Sequence, residues 1–182
     1  WTSTFELPSS LDDEITGSAV LNKKLYAFSK QKVFRISHVG GNPDFAVQEA
    51  KSNWGAVPRT IEKVTLPQVG EVIIAFGWDK RLRLFDGDED QVISDPVFES
   101  NNICPVSLSQ VEDLALTKSF AEVDTEEQVY KLWVAMAPST EVTHMLAFNL
   151  RTRAFYWYDN QLYSSAVMAD SGNRRDLIGV RR

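Results

Sequence analysis

A hairpin-like pattern occurs three times in this chain, and it constrains the fold more than any other feature. The three copies span residues 25–37, 73–86 and 145–159. Each copy has an apolar strand that ends in Ala-Phe, a polar turn with Lys or Arg, and a second strand with large side chains. Because this is the order of a β-hairpin, the repeat predicts an antiparallel, all-β protein.

The second copy indicates which of its strands is buried. Residues 72–76 form a continuous apolar run, which is typical of a strand covered on both faces. Residues 81–84 alternate Arg-Leu-Arg-Leu, so one face of this partner strand should meet solvent. We expect Gly77 to supply a positive φ angle in the turn between them, and Trp54-Gly55 to fill the crossing between two blades. A doubly buried strand beside a half-exposed one is typical of a propeller blade.

The spacing of the copies supports blades of this kind. From Ala27 to Ala75 is 48 residues, the length of one blade, and from Ala75 to Ala147 is 72. We place the additional residues in an insert around 94–120. There, Ser109-Gln110-Val111-Glu112 fits a capping box and favours a short helix, although a further strand would fit as well. Other strands are expected near residues 17–21, 44–50, 59–64, 129–137 and 162–168.

We therefore predict one all-β domain, or a fragment of one, over residues 1–182, built as a partial β-propeller of antiparallel hairpin blades. A two-sheet β-sandwich with coincidentally similar hairpins is the alternative. Propellers have four to eight blades, so three copies need more chain or partner copies to close a ring. A net charge of −6 argues against nucleic-acid binding as the main role. The sequence has no run of about 18 apolar residues, so we expect no contact with a membrane.

An acidic segment follows the second copy. Asp86, Asp88 and Asp90 alternate in the manner of the oxygen ligands of a calcium loop. The match to the helix-loop-helix calcium pattern fails twice, because Gln91 stands where Gly is needed and Val97 where Glu belongs. We predict a solvated turn and keep the three aspartates as weak candidates for metal ligands.

The patterns that carry common enzyme chemistry are missing from the sequence. It has no Gly-x-Ser-x-Gly elbow, no His-Glu-x-x-His and no phosphate loop. His38 and His144 lack a Cys or His partner at metal-ligand spacing. Two carboxylates could converge from distant loops, as in glycosidases, but no pair stands out. We therefore expect a non-enzymatic protein with no catalytic residues and no cofactor.

Several residues are candidates for contacts with other proteins. The aromatic strip at residues 155–158 could stack on a sugar or lie in an interface. Neighbours on a strand point in opposite directions, so one face of this strip should be core. We name Trp78, Tyr156 and Tyr158 as interaction candidates, together with Arg174 and Arg175, which could meet an acidic partner.

The order of these motifs resembles that of propeller-type tail proteins of tailed bacteriophages. The resemblance begins with KLYAFSKQKVFRISHVGG, SNWGAVPRTIEKV and VIIAFGWDKRLRLFDGDEDQVISDPV. It continues with FAEVDTEEQVYKLWVAM, THMLAFNLRTRAFYWYDN and LYSSAVMADSGNRRDLIGV, and so covers residues 25–180. The chain departs from WD repeats, which open with Gly-His and end a strand in Trp-Asp, since Trp78-Asp79 falls in a turn. It also lacks the paired glycines that recur in every blade of kelch proteins.

The resemblance implies a structural protein of the virion, in the hub or nozzle region where tail and connector meet. Such a protein would form a cyclic homo-oligomer around the DNA channel, contact other tail proteins and be assembled in the host cytoplasm. Nucleic acid would be only the content of the channel, and an acidic wall would suit that role because like charges repel. A propeller module for protein–protein interaction in a cellular complex is the alternative, and a glycan-binding propeller is the third interpretation.

Overall fold

The computed structural model describes residues 13–41, 45–51, 53–67, 69–100, 105–170 and 175–181, without the side chains of residues 168–170, 175–178 and 181. About half of these residues lie in strands, which form four antiparallel sheets, and this confirms the all-β prediction. The strands are β1 (Gly17–Leu21), β2 (Lys24–Phe28), β3 (Val33–His38), β4 (Phe45–Glu49), β5 (Glu62–Leu66), β6 (Gly70–Phe76), β7 (Leu82–Phe85), β8 (Asp90–Val92), β9 (Phe120–Asp124), β10 (Val129–Val134), β11 (His144–Asn149), β12 (Phe155–Tyr158), β13 (Tyr163–Asp170) and β14 (Arg175–Arg181).

Three of the sheets share one connectivity. Sheet 1 (β1–β4), sheet 2 (β5–β8) and sheet 3 (β9–β12) are four-stranded meanders in which each strand pairs with its neighbour in sequence. Sheet 4 consists of β13 and β14. Blades of a propeller have this meander connectivity, and the arrangement is not the pair of sheets of a sandwich. The sheets do not close into a ring within the described part of the chain, so a partial propeller remains a prediction.

The sheets stack on one another in chain order. Ile73 of β6 packs in a cluster with Tyr26 and Phe28 of sheet 1. Its neighbour Ile74 points the other way and packs with Leu132 of sheet 3. Residues 72–76 are at most 2% exposed, which confirms the doubly buried strand. We call the face of a sheet toward the next sheet its forward face, and the opposite face its backward face.

Backbones of neighbouring sheets come closest at their first strands. Strand β1 approaches β5 and β6, β5 approaches β9, and β9 approaches β13, with Cα atoms within 8 Å. Each meander then leads away from its first strand to its fourth. Because neighbouring sheets converge at one edge, a wedge-shaped gap opens between them away from that edge. The segments that join one sheet to the next fill these gaps.

Aromatic packing fills the wedge between sheets 1 and 2. Trp54 is 5% exposed and its ring centroid lies 5.6 Å from that of Phe28 and 6.4 Å from that of Phe85. Gly55 follows directly, and an added Cβ there would overlap the backbone of Ser29 and Lys30. The prediction that Trp54-Gly55 fills the crossing between two blade-like sheets is therefore confirmed.

Short helices fill the wedge between sheets 2 and 3. The insert contains a one-turn α-helix (Asp95–Phe98) and two 3₁₀ segments (Leu108–Gln110 and Asp113–Lys118). Leu108 and Leu116 pack in the apolar cluster shared by the two sheets. Helix was one of the two structures expected for this insert.

The capping box of the insert lies two residues earlier than predicted. Ser107 and Gln110 form it, with the Ser107 backbone N–H donating to Gln110 Oε1 at 3.1 Å. The prediction had named Ser109 and Glu112. Leu108 is fully buried and is the first residue of the 3₁₀ segment. The capping residue is therefore the one directly before it, Ser107.

The third copy of the repeat occupies a different place from the first two. In sheets 1 and 2 the Ala-Phe strand is the second strand, β2 or β6, whereas in sheet 3 it is the third strand, β11. Its hairpin pairs Ala147 with Tyr156, so the hairpin itself is confirmed. The long spacing from Ala75 to Ala147 therefore includes one additional strand as well as the insert.

In the turn between β6 and β7, the predicted positive φ angle at Gly77 is wrong. Lys80, not Gly77, has the positive φ angle, at 61°. Gly77 is required for space, because a Cβ there would collide with the carboxylate of Asp79. Two strand bounds also differ from prediction: β5 begins only at Glu62, since the Thr60 hydroxyl donates to Val57 O in a turn, and β10 ends at Val134.

Candidate functional site

The acidic turn is held together by its own hydrogen bonds. Asp86 Oδ1 accepts from the backbone N–H groups of Asp88 and Glu89, each at 2.9 Å. Gly87 has a φ of 108°, which closes this Asx turn. Asp90 instead receives a hydrogen bond from Arg83 Nη1 at 2.9 Å. The candidates Asp86, Asp88 and Asp90 therefore serve different partners, and no group of three acids, histidines or cysteines among the described residues could hold a metal ion.

Arg83 lies where the alternating pattern predicted solvent, and that prediction is wrong. Its side chain is only 14% exposed, because the face of β7 that carries it faces sheet 1. The guanidinium pairs with Asp79 and Asp90 and lies 5.6 Å from the Trp54 ring centroid. Both carboxylates compensate the charge, so a cation can remain in this half-buried place.

A cleft of about 590 Å³ opens beside Arg83, between the β2–β3 turn and the β6–β7 turn. Trp78 lies on its wall, where the indole N–H donates to Ala56 O at 3.1 Å. Lys30 Nζ is 5.5 Å from the centre of the Trp78 ring. The predicted interaction residue Trp78 therefore lies in a groove between two sheets, where it also ties the β6–β7 turn to the crossing loop.

Charges along this cleft are already paired within the chain. Lys30 lies 3.7 Å from Glu14, and Lys32 lies 2.9 Å from Glu49. Arg83, the third cation of the lining, pairs as described above. The cleft is therefore polar but offers no uncompensated positive charge for an anion.

Strand β12 divides its aromatic residues between the core and solvent. Phe155 stacks on Phe148 with ring centroids 4.7 Å apart, and Trp157 packs on the same cluster. Tyr156 and Tyr158 are 52% and 47% exposed. One face of the strip is core, as predicted, and both tyrosines remain accessible on the forward face of sheet 3.

The structure places the remaining sequence candidates only in part. Arg174 lies outside the described residues, and Arg175 begins β14 opposite Asp170, with no side chain described. His38 ends β3 in an edge contact with Phe45 at 5.5 Å. His144 begins β11, and burial lowers the pKa of its imidazole, with the charge of Asp159 opposing that shift.

Two acids, on the first strands of sheets 2 and 3, are close enough for their charges to interact, and no sequence pattern predicted this. Burial, together with a smaller effect from the charge of Glu122 on β9, raises the pKa of Glu62 on β5 to about 7. Nearby, the fully buried Tyr130 donates from its hydroxyl to Thr60 O at 2.8 Å. Glu62 and Glu122 belong to different sheets, so only the stacking of sheets 2 and 3 brings their charges together.

We predict that Glu62→Gln changes the pH dependence of stability. Because the pKa of Glu62 is higher in the folded chain than in the unfolded one, the native protein loses stability as pH rises from about 4.5 to about 7. Glutamine removes this loss, so the variant should be more stable than wild type at pH 8 by roughly 1–2 kcal/mol, after allowance for solvent screening. At pH 5 the two should be nearly equal.

Urea unfolding at several pH values measures this difference. Glu71→Gln is the matched control, because its carboxylate is paired with Lys63 at the surface and its pKa is lowered by that hydrogen bond. The control should show no gain at pH 8. An offset between Glu62→Gln and wild type that stays constant from pH 5 to pH 8 would contradict the prediction.

No protein-family model matches this chain, and no curated protein matches it. Among the described residues, none of the helices combines the length and the apolar character that crossing a lipid bilayer requires.

Proposed function

We propose that this chain is a non-enzymatic structural protein, a scaffold of propeller-type blades that assembles with other subunits. The observation that carries the proposal is the stack itself: three meanders of the same connectivity, joined last strand to first, with a further strand pair packed on the third. Such a stack buries large side chains between its sheets, which gives a scaffold whose outer surfaces remain for contacts with other molecules.

Polar side chains support a scaffold role because they join neighbouring elements. Arg35 of sheet 1 lies 3.8 Å from Asp88 in the β7–β8 turn of sheet 2, and Arg59, which precedes β5, donates to Lys118 O in the insert at 3.1 Å. Lys131 lies 3.1 Å from Asp124 on the adjacent strand. These charged groups are engaged in contacts between elements, which is the expected use of charge in a protein that must keep its shape.

The more specific proposal is a part of a bacteriophage virion, in the tail near the connector. Support comes from the order of motifs, which resembles that of propeller-type tail proteins. The charge of the chain adds a physical argument, since its net charge is −6 and the acidic Glu122 lies on β9, one of the first strands that converge at one edge. In a ring, that edge would face the central channel, and an acidic wall would keep DNA from adhering as it passes.

We expect the protein to be found in purified virions. Particles from the source culture, separated by density and washed at high salt, should contain it at a fixed number of copies by quantitative mass spectrometry. Gold-labelled antibodies against residues 13–41 should mark the tail rather than the head. A matched control antibody against the major head protein should mark only the head.

Absence of the protein from full particles would overturn the virion proposal. If affinity purification then recovered it with a defined set of cellular proteins, the interaction-module alternative would take its place. The exposed Tyr156 and Tyr158 are the surface that such a partner would meet first.

A further inference from the structure

The backward face of sheet 1 carries an apolar row that crosses all four strands. Strand register places Val20 beside Leu25, Leu25 beside Ile36, and Ile36 beside Val47. Val20 is 54% exposed and Leu25 is 38% exposed. Phe45, also on this face, is 47% exposed. A continuous apolar row on a sheet is unusual at a free surface and is typical of an interface.

The same positions are buried where a preceding sheet is present. In sheet 2, Ile73 pairs with Phe85, as Leu25 pairs with Ile36 in sheet 1. Both Ile73 and Phe85 are 0% exposed because they pack against the forward face of sheet 1. Leu25 therefore occupies an interface position, and among the described residues no sheet precedes sheet 1 to cover it.

Part of this backward face is already covered. Ala27 and Phe34 form the next row and are 6% and 0% exposed. The more exposed part is therefore the row from Val20 to Val47. A sheet that docked on this face would therefore enlarge the buried area that already contains Ala27 and Phe34.

The other end of the stack also exposes apolar side chains. On sheet 4, Tyr163 and Ala166 pack on the cluster of sheet 3, so they mark its backward face. Val167 points to the opposite side and is 53% exposed, and Val180, paired with Ser165, is 61% exposed on that same forward face. The stack thus ends in a backward face at one end and a forward face at the other, the two kinds of face that meet at its internal interfaces.

We propose that these two faces bind each other between copies of this chain. The backward face of sheet 1, centred on Leu25, would dock on the forward face of sheet 4 of a second copy, centred on Val167 and Val180. Two different faces make the contact heterologous, so successive copies would form a ring if the rotation closes and a filament otherwise. The inference rests on the proposed scaffold function and deepens it by naming the surfaces that assemble.

Charge substitutions on each face test the interface with the purified chain. Native mass spectrometry and sedimentation at about 100 µM should show oligomers of the wild type. Leu25→Lys and Val180→Lys should each weaken association about tenfold or more, because each would bury an unpaired ammonium group. Leu114→Lys is the control: Leu114 is 85% exposed and lies in the insert, away from both faces, so this variant should assemble normally.

Mixing the two variants tests the geometry itself. Leu25→Lys keeps an intact forward face on sheet 4, and Val180→Lys keeps an intact backward face on sheet 1. The mixture should therefore form 1:1 heterodimers and nothing larger, although each variant alone associates about tenfold or more weakly than the wild type. Circular dichroism must show that both remain folded; Val20→Lys and Val167→Lys replace any variant that does not.

Three outcomes would overturn the proposal. They are a monomeric wild type, normal assembly by either charged variant, or a mixture that stays monomeric. None of these bears on whether the protein is present in virions. Conversely, assembly as described would stand even if the protein proved to belong to a cellular complex, so the two proposals can fail separately.

Discussion

Gly55→Ala is expected to destabilise the fold by about 3 kcal/mol, one of the two largest effects that the structure predicts. A Cβ at this position would overlap the backbone carbonyl groups of Ser29 and Lys30. Backbone atoms in the β2–β3 turn cannot swing aside as a flexible side chain can. Asp13 also holds this turn, accepting from the Lys30 N–H at 3.0 Å and the Gln31 N–H at 2.9 Å.

Urea unfolding followed by tryptophan fluorescence measures the loss. Gly40→Ala is the matched control, since Gly40 has a φ of 67° but no atom within 4 Å of an added Cβ. That variant should lose only about 1 kcal/mol, the cost of a left-handed residue with a side chain. Equal losses in the two variants would contradict the prediction that steric overlap of the added Cβ governs the cost at Gly55.

Phe85→Ala is expected to cost about 3–5 kcal/mol, as for other fully buried aromatic residues. The Phe85 ring is 0% exposed and lies between sheets 1 and 2. Its centroid is 5.2 Å from that of Tyr26 and 6.2 Å from that of Phe28. Its loss would leave a cavity at the centre of this interface and loosen the contact between the two sheets.

Hydrogen exchange can distinguish this local loosening from a general loss of stability. Amides of β2 and β3 should lose more protection than those of β10 and β11. Tyr158→Ala is the control, because Tyr158 is an aromatic residue at the surface, and it should cost less than about 1 kcal/mol. Uniform loss of protection across all sheets would contradict the prediction of a weakened interface between sheets 1 and 2.

Local patterns in the sequence predicted the local structure well. The apolar run at residues 72–76 is a doubly buried strand, and the alternation at residues 155–158 divides core from surface. Both succeed because burial on a strand follows directly from the period of its side chains. Trp54-Gly55 was also placed correctly, since a large ring beside a glycine has few roles in a crossing loop.

Features that depend on which sheets meet could not be predicted in this way. Arg83 looks like a solvent-facing residue of an alternating strand, and only the position of sheet 1 makes it half-buried. The third hairpin resembles the first two in sequence, so the sequence did not show that its Ala-Phe strand is the third strand of its sheet and not the second. Glu62 and Glu122 gave no signal, because their proximity depends on the stacking of two sheets. The interaction candidates Trp78, Tyr156 and Tyr158 were found, but their partners were not.

The stacking of sheet 2 between two neighbours also determines how the protein should come apart. Each sheet contacts mainly the sheets before and after it, so the stability of the molecule is approximately a sum over units and their junctions, as in repeat proteins. A unit with two junctions opens last, and units with one junction fray first. On heating, under protease attack or after a destabilising mutation, sheets 1 and 4 should therefore lose their structure well before β6 does. Assembly would supply a second junction at each end of the stack and so stabilise both end sheets.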